Sequence, residues 1–509
     1  MHNKTIVLFY PRPTSGFSKE RRRDVHQVRR IYAPLSIMYL ASTLENAGFT
    51  VLLFDHRLMD LSEMKAKISN AGNVLFFGIS AMTGSQITDG LEIAKTLREC
   101  YSKEIPIVWG GVHPTLYPES TILNPLVDII VYSEGDYTVV DLAVALSKGE
   151  NIGSIRGICY KKGSVIEITA PRVRIETLDE LPFPAWDHLK EYLNPAQYPI
   201  LATINTSRGC PYNCSYCYKG GVDSISGGDL WRPFSVDRIM KEVDHLFDNY
   251  GFDVFETADE NFILSVDRSI EIIRKFKDRG FKISGIRSNF HTYKEKVIKE
   301  LPGFCDFVAY SPETGSAKIQ KYLNKIADYE KMKILNRRLA EIGLTTVHTF
   351  IFGFPFETDE DIIATVSLCK EFKKINPKSR MGLYQYMPYP GAALTDLMQR
   401  DYGLVLPHNL EEWSKCDMYG DLSLQFRPWI KESDLKYYNN FQLLFNIVFN
   451  TYQPLDKSAD ELYASDPRIQ RLLGDISSIQ RAINVSQKNI LNERLHPDLY
   501  EYYQQRIFI

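Results

Sequence analysis

Short apolar runs alternate with helical patterns twice along the 509-residue chain, and this rhythm restricts its fold more than any other feature. In residues 5–140 the runs are Ile6-Val-Leu-Phe9, Val51-Leu-Leu-Phe54, Leu75-Phe-Phe-Gly-Ile79, Pro106-Ile-Val-Trp109 and Asp128-Ile-Ile-Val131, with helical patterns near 34–47 and 84–100. Strands alternating with helices build a parallel, doubly wound α/β sheet. Ligands of such sheets sit beyond the carboxyl ends of the strands. Here those ends carry Ser80-Ala-Met-Thr83, Gly110-Gly-Val-His113-Pro-Thr115 and Ser133-Glu-Gly135. Small residues at three neighbouring strand ends predict a shallow floor for something large.

The segment 150–195 reads as a linker, with a hairpin at 155–169 turned by Lys162-Gly163 and then prolines at Pro171, Pro182 and Pro184. The alternation resumes at 200–204, 253–257, 281–286, 306–310, 347–353 and 381–386, with helical patterns such as Ser235 to Asn249 and Tyr329 to Ile342. Six strand and helix pairs suffice for a partial barrel whose strand ends face one cavity. From 405 to 509 the pattern is helical and aromatic, and Tyr437 to Phe449 reads as an amphipathic packing helix. The expected domains are therefore 1–149, the linker 150–195, 196–404 and 405–509.

Directly after the run Ile200-Leu-Ala-Thr-Ile204 stands Thr206-Ser-Arg-Gly-Cys-Pro-Tyr-Asn-Cys-Ser-Tyr-Cys217. Iron–sulfur cubanes usually take four thiolates, so three closely spaced ones, Cys210, Cys214 and Cys217, imply an iron with an open position. A zinc site would need other ligands, and no histidine lies within the loop. Cys100, Cys159, Cys305, Cys369 and Cys416 are scattered singly and read as core or surface thiols.

Lysine plus arginine (60) against aspartate plus glutamate (63) gives a net charge of −3, which argues against a dedicated nucleic-acid surface. No apolar run reaches the roughly 18 residues that a membrane span needs. The expectation is a cytoplasmic protein without a membrane span, in a setting reducing enough to keep a thiolate cluster. Residues 11–34 hold Arg12, Lys19, Arg21, Arg22, Arg23, Arg29 and Arg30, read as a solvated basic loop or a lid over an anionic or amide-rich ligand.

With these residues in view, the chain resembles the cobalamin-binding subgroup of radical S-adenosylmethionine enzymes over roughly residues 5–400. The cysteine loop carries the resemblance, and four further segments follow in order: Ala258-Asp-Glu-Asn-Phe262, Ser311-Pro-Glu-Thr-Gly315, Gly353-Phe-Pro-Phe-Glu-Thr358 and Pro388-Tyr-Pro-Gly391. The resemblance implies a Rossmann-like cobalamin domain followed by a partial (β/α)6 radical barrel. It also implies a [4Fe-4S] cluster on the three cysteines, S-adenosylmethionine on the open iron, and cleavage to a 5′-deoxyadenosyl radical.

For S-adenosylmethionine it points to Tyr216 beside the adenine, Asp259 or Glu260 for the ammonium, Arg287 for the carboxylate, Glu313 near the ribose, and Gly353 with Pro355 shaping a turn near the adenine. Arg208 would pair a carboxylate or shield cluster charge. For cobalamin it points to Ser80, Thr83, Gly110, Gly111, His113 and Gly135. The Asp-x-His-x-x-Gly motif that supplies a lower histidine ligand is absent, since Asp55-His56 is adjacent.

The leading expectation is a methyltransferase moving methyl from methylcobalamin to a carbon radical of a small-molecule substrate, with electrons from a donor such as flavodoxin or ferredoxin. Cyclisation, rearrangement or dehydration without methyl transfer, with or without cobalamin, stays open, as does a cobalamin- or redox-sensing binding protein. Tyr384 and Tyr386, flanking Gln385 on the last barrel strand, are the candidate substrate contacts.

Overall fold

The computed structural model describes residues 4–13, 31–193, 200–325, 327–416, 424–450 and 466–474. They form two compact units, each assembled from separate stretches of chain. One comprises Met1–Leu201, Tyr216–Phe234 and Met387–Phe426, the other Ala202–Ser215, Ser235–Tyr386 and Arg427–Ile509. The chain passes between the units five times: after Leu201, inside the cysteine loop after Ser215, after Phe234, after Tyr386 at the end of the barrel, and after Phe426. Among the described residues no helix is long and apolar enough to cross a membrane.

The first unit is built on β1 (Thr5–Tyr10), β2 (Thr50–Asp55), β3 (Val74–Ser80), β4 (Ile107–Gly110), β5 (Ile129–Val131), β6 (Ile158–Lys162) and β7 (Val165–Ile168). Their order is β2-β1-β3-β4-β5-β6-β7. The first five run parallel, and their apolar runs are buried on both faces as parallel strands require. The hairpin expected in the linker exists, but as the antiparallel edge of this sheet, Ile129 to Val131 pairing with Tyr160 to Ile158. Strand order reverses between β1 and β3, the switch point where such sheets take ligands.

Two later segments join this unit through packing. Leu410 and Trp413 share its core with Phe9, Phe77 and Trp109, and the Trp413 ring stacks on Tyr117 at 4.9 Å. The helix Lys219–Ile225 approaches the Pro388–Gly391 turn backbone to backbone. A Cβ on Gly221 would lie 2.5 Å from the Gly391 Cα, and one on Gly391 2.6 Å from Leu116 Cδ2. Both glycines are there because nothing larger fits.

The second unit carries β8 (Ile200–Ile204), β9 (Val254–Thr257), β10 (Lys282–Arg287), β11 (Cys305–Ala309), β12 (Thr345–Phe352) and β13 (Arg380–Gln385). Each pairs in parallel with its successor. This is the expected partial barrel, with every boundary within two residues of its sequence reading.

Among the described residues the open barrel leaves the outer edge of β13 without a strand partner, a row of backbone groups that need other partners. The helix Glu432–Asn450 covers it with side-chain amides. Asn450 Oδ1 accepts the Met381 N–H at 2.8 Å, Asn446 Oδ1 accepts the Leu383 N–H at 3.0 Å, and Gln442 Nε2 donates to the Leu383 carbonyl at 3.0 Å. Gln385 Nε2 donates to Asn439 and Gln442, each at 2.9 Å. The match is one of pitch: four residues of helix rise about 6 Å and two residues of strand about 6.6 Å, so amides spaced by four meet alternate strand residues.

Candidate functional site

The cysteine loop leaves β8 at the carboxyl end of the barrel, and a buried acid holds its entrance. Asp259 accepts the Thr206 N–H at 2.6 Å, the Thr206 hydroxyl at 2.5 Å and the Ser207 hydroxyl at 2.8 Å. Burial pushes its carboxyl up to about 6 against the pull of those donors. Of the pair expected to meet an ammonium, Asp259 therefore has both oxygens engaged by the chain itself. Glu260 is exposed, and of the two it alone is open to a ligand.

The next residue, Asn261, is one that sequence reasoning passed over. Its Nδ2 donates to the Cys210 sulfur at 3.1 Å. Other pins hold the loop from outside. Ser215 donates its N–H to the Leu323 carbonyl at 3.0 Å and its hydroxyl to the Tyr322 carbonyl. Asn324 Nδ2 donates to the Asn213 carbonyl at 2.7 Å, and the Tyr212 hydroxyl bonds His291 Nε2 at 2.8 Å. A loop without regular structure is thus fixed by the end of the helix Ala317–Leu323 and by the segment after β10.

The cysteines divide by environment. Cys210, Cys214 and Cys217 are partly exposed. Burial raises the thiols of Cys159, to about 11, and of Cys305 and Cys369 further, which keeps these three protonated and unsuited to ligation. Among the described residues no group of His, Cys, Asp and Glu is gathered as for a single metal ion. A cubane asks for something else, each thiolate holding its own iron, and three accessible thiols with a donor on one sulfur fit that group.

Around the barrel mouth the turn Ala258–Phe262 is bonded to the end of β10, Phe262 N–H to the Arg287 carbonyl at 2.9 Å and Ile263 N–H to the Ser288 hydroxyl at 3.0 Å. This brings Arg287, half-buried, into the neighbourhood of Glu260. Glu313 adopts φ 66 and its carboxylate receives Lys325 at 2.6 Å, so it presents itself as one end of an ion pair. Gly353, φ 87, donates its N–H to Glu357 at 2.5 Å, and its carbonyl accepts from Trp429 Nε1 at 3.0 Å. Tyr386 is only 2% exposed, its ring packed on Phe354 at 4.6 Å and Trp429 at 6.0 Å. That places Tyr386 in the core rather than on a pocket wall, whereas Tyr384 stays half-buried. Arg208 is half-buried, and Tyr216 lies past the unit boundary.

The floor residues of the first unit are tightly built. Gly111 has φ 98, and a Cβ there would sit 2.8 Å from the Ala81 carbonyl oxygen. Gly110 ends β4, Gly135 precedes the helix Asp136–Lys148 with ordinary helical angles, and Ser80 ends β3. Thr83 bonds His113 Nδ1 at 3.0 Å. His113 is fully buried against Tyr117 and Trp413, and burial lowers its pKa to about 3. Its Nε2 has no hydrogen-bond partner among the described residues. A buried orphan nitrogen on a small-residue floor fits an amide-rich cofactor tail. His56 is committed elsewhere, its Nδ1 on Asp89 at 2.7 Å. Arg12 shares Asp89 at 2.9 Å, which makes it a half-buried strut rather than a lid. Lys19, Arg21, Arg22, Arg23, Arg29 and Arg30 lie outside the described residues.

A doubly wound sheet with a ligand floor, carried in one chain with a parallel partial barrel whose first strand opens into a three-thiol loop, defines a radical enzyme with two cofactor-binding units. Residues 204–369 match the Radical SAM superfamily and residues 23–143 the B12 binding domain. The chain is 30% identical over 434 residues to the uncharacterized methyltransferase PH0819 of Pyrococcus horikoshii, spanning 84% of this chain and 92% of that one. It is 26% identical to the anaerobic magnesium-protoporphyrin IX monomethyl ester cyclase of Rubrivivax gelatinosus, over 72% of this chain and 66% of the cyclase. The radical S-adenosylmethionine methyltransferase TsrM of Kitasatospora setae shares the fold, with TM-score 0.64 at 16% identity over 96% of this chain and 100% of that one. The chain belongs to the cobalamin-dependent radical S-adenosylmethionine enzymes.

Proposed function

We propose that this protein transfers a methyl group to an unactivated carbon of a small-molecule substrate. The observation that carries methyl transfer is the similarity along nearly the whole length of a relative named as a methyltransferase. When bound, the cluster supplies the electron that cleaves S-adenosylmethionine, and cobalamin carries the methyl group.

Cys210, Cys214 and Cys217 hold the cluster. Glu260 receives the ammonium of S-adenosylmethionine, and Arg287 grips its carboxylate bidentately. The Gly353 turn borders the adenine. Glu313, paired with Lys325, takes a ribose hydroxyl. Asp259 acts one step back, holding Thr206 and Ser207 where the loop starts. On the other unit Ser80, Thr83 and His113 bond the cobalamin tail over Gly110, Gly111 and Gly135. Tyr384 borders the substrate. Residues 1–149 form the cobalamin domain and 196–404 the radical barrel, joined by 150–195, with a substrate-related helical region at 405–509. An external flavodoxin or ferredoxin supplies electrons in a reducing, cytoplasmic setting.

The test uses reduced, reconstituted protein with methyl-labelled S-adenosylmethionine and candidate substrates suggested by neighbouring genes. Label in the product together with 5′-deoxyadenosine supports the proposal. 5′-Deoxyadenosine with an unlabelled product moves the reading to cyclisation or rearrangement, and absence of 5′-deoxyadenosine with every substrate overturns the radical reading.

A further inference from the structure

The Asn261 side chain spans two elements. While Nδ2 faces the Cys210 sulfur at 3.1 Å, Oδ1 accepts the Asn289 N–H at 3.0 Å. That backbone donor fixes which end of the amide is which, because a flipped amide would set N–H against N–H. Asn261 is 6% exposed, so water competes little for the bond to sulfur.

Reduction of a cluster adds negative charge, part of it on the thiolate sulfurs, and hydrogen bonds to those sulfurs help set the potential. A donor aimed at one sulfur therefore stabilises the reduced form more than the oxidised one. We propose that Asn261 is a positioning residue that raises the reduction potential of the cluster through its bond to Cys210. The proposal rests on Cys210 being a cluster ligand. Asn261 acts through that ligand. Its neighbours in the same motif serve other ends, Asp259 the loop entrance and Glu260 the open mouth.

The experiment is a redox titration of the reconstituted full chain followed by electron paramagnetic resonance, with iron content measured beside it. N261L removes the donor. The expected result is full iron content with a reduced-to-oxidised ratio about tenfold lower at a given potential, a midpoint about 59 mV more negative for a one-electron couple. N261D keeps the shape and the acceptor for the Asn289 N–H, and at pH above its own titration its midpoint should also fall. A purely structural role would lower iron content or melting temperature and leave the midpoint of the loaded protein alone. Wild-type midpoints in the loaded variants overturn the proposal, and N261D decides alone if N261L does not load. C210A separates the underlying assignment: retention of full iron there overturns the ligand reading, whereas lost iron in C210A beside wild-type midpoints in the Asn261 variants overturns the tuning only.

Discussion

Replacing Asn446 by leucine tests whether the carboxyl-terminal helix holds the barrel edge by its amides or by its apolar face. Asn446 accepts the Leu383 N–H at 3.0 Å and donates to the Leu383 carbonyl at 3.3 Å. The carbonyl keeps Gln442 Nε2 at 3.0 Å in the variant, so one group, the N–H, is orphaned. Asn446 is 8% exposed and water does not readily take its place. An unsatisfied buried donor costs roughly 1–3 kcal/mol. Leucine returns about 0.5 kcal/mol of helix propensity over asparagine, leaving a loss of about 1.5 kcal/mol. For a unit of this size that lowers the melting temperature by about 3–6 °C, taking roughly 2–4 °C per kcal/mol. Q442L should cost less than N446L, because Asn446 still serves the Leu383 carbonyl. Differential scanning calorimetry checks both. An N446L protein that melts at or above the wild-type temperature, or below which Q442L falls, would refute the amide-edge reasoning.

D259N and E260Q should separate in a binding assay for S-adenosylmethionine. E260Q weakens binding roughly 10- to 100-fold, the loss of one charge-assisted bond of about 1.5–3 kcal/mol, while D259N lowers stability and leaves the dissociation constant of folded protein near wild type. Glu357 is half-buried with its carboxylate enclosed, and burial raises that carboxyl to about 8 from an ordinary 4.5. A raised folded pKa means stability present below 4.5 and lost as pH climbs through 8, so the wild-type melting temperature should decline across that window, and E357Q, which still accepts the Gly353 N–H, should flatten the decline. N324G keeps the left-handed backbone at φ 48 but loses the bond to Asn213, whereas N324A adds about 1–2 kcal/mol of left-handed strain; iron retained after reconstitution should fall in the order wild type, N324G, N324A.

The two sheets were legible because parallel strands buried on both faces leave an apolar run that no other element writes so plainly. Thr5–Tyr10 is the pattern at its clearest, its first five residues buried. What escaped was long-range polar contact. Nothing in Ala258–Phe262 says that its first acid turns inward to Thr206 and its asparagine reaches a sulfur, since adjacent residues at a strand end diverge by the geometry of one turn. The amides at Gln442, Asn446 and Asn450 were visible at a spacing of four, but their meaning depends on an unpaired edge some sixty residues earlier. Gly391 was legible only as the end of the segment Pro388-Tyr-Pro-Gly391; its closeness to Gly221 is a fact of packing. The unit boundary within the cysteine loop has no compositional mark at all.

Cys210 and Cys214 sit in a segment that has no regular backbone bonds of its own, so their placement depends on what surrounds it. Five side chains outside or within that segment, Asn261, Asn324, His291 with Tyr212, and Ser215, bond it to three separate elements of the same unit. Asp259 fixes the strand end from which it departs. A loop held this way has already lost most of its conformational freedom before any cluster arrives, and that ordering cost, roughly 1–2 kcal/mol for each residue fixed, falls on folding rather than on cluster binding. The same pins restrict how far the sulfurs can move when the charge on the cluster changes. Preorganisation and redox tuning are then two consequences of one arrangement, in which Asn261 is the pin that touches sulfur itself.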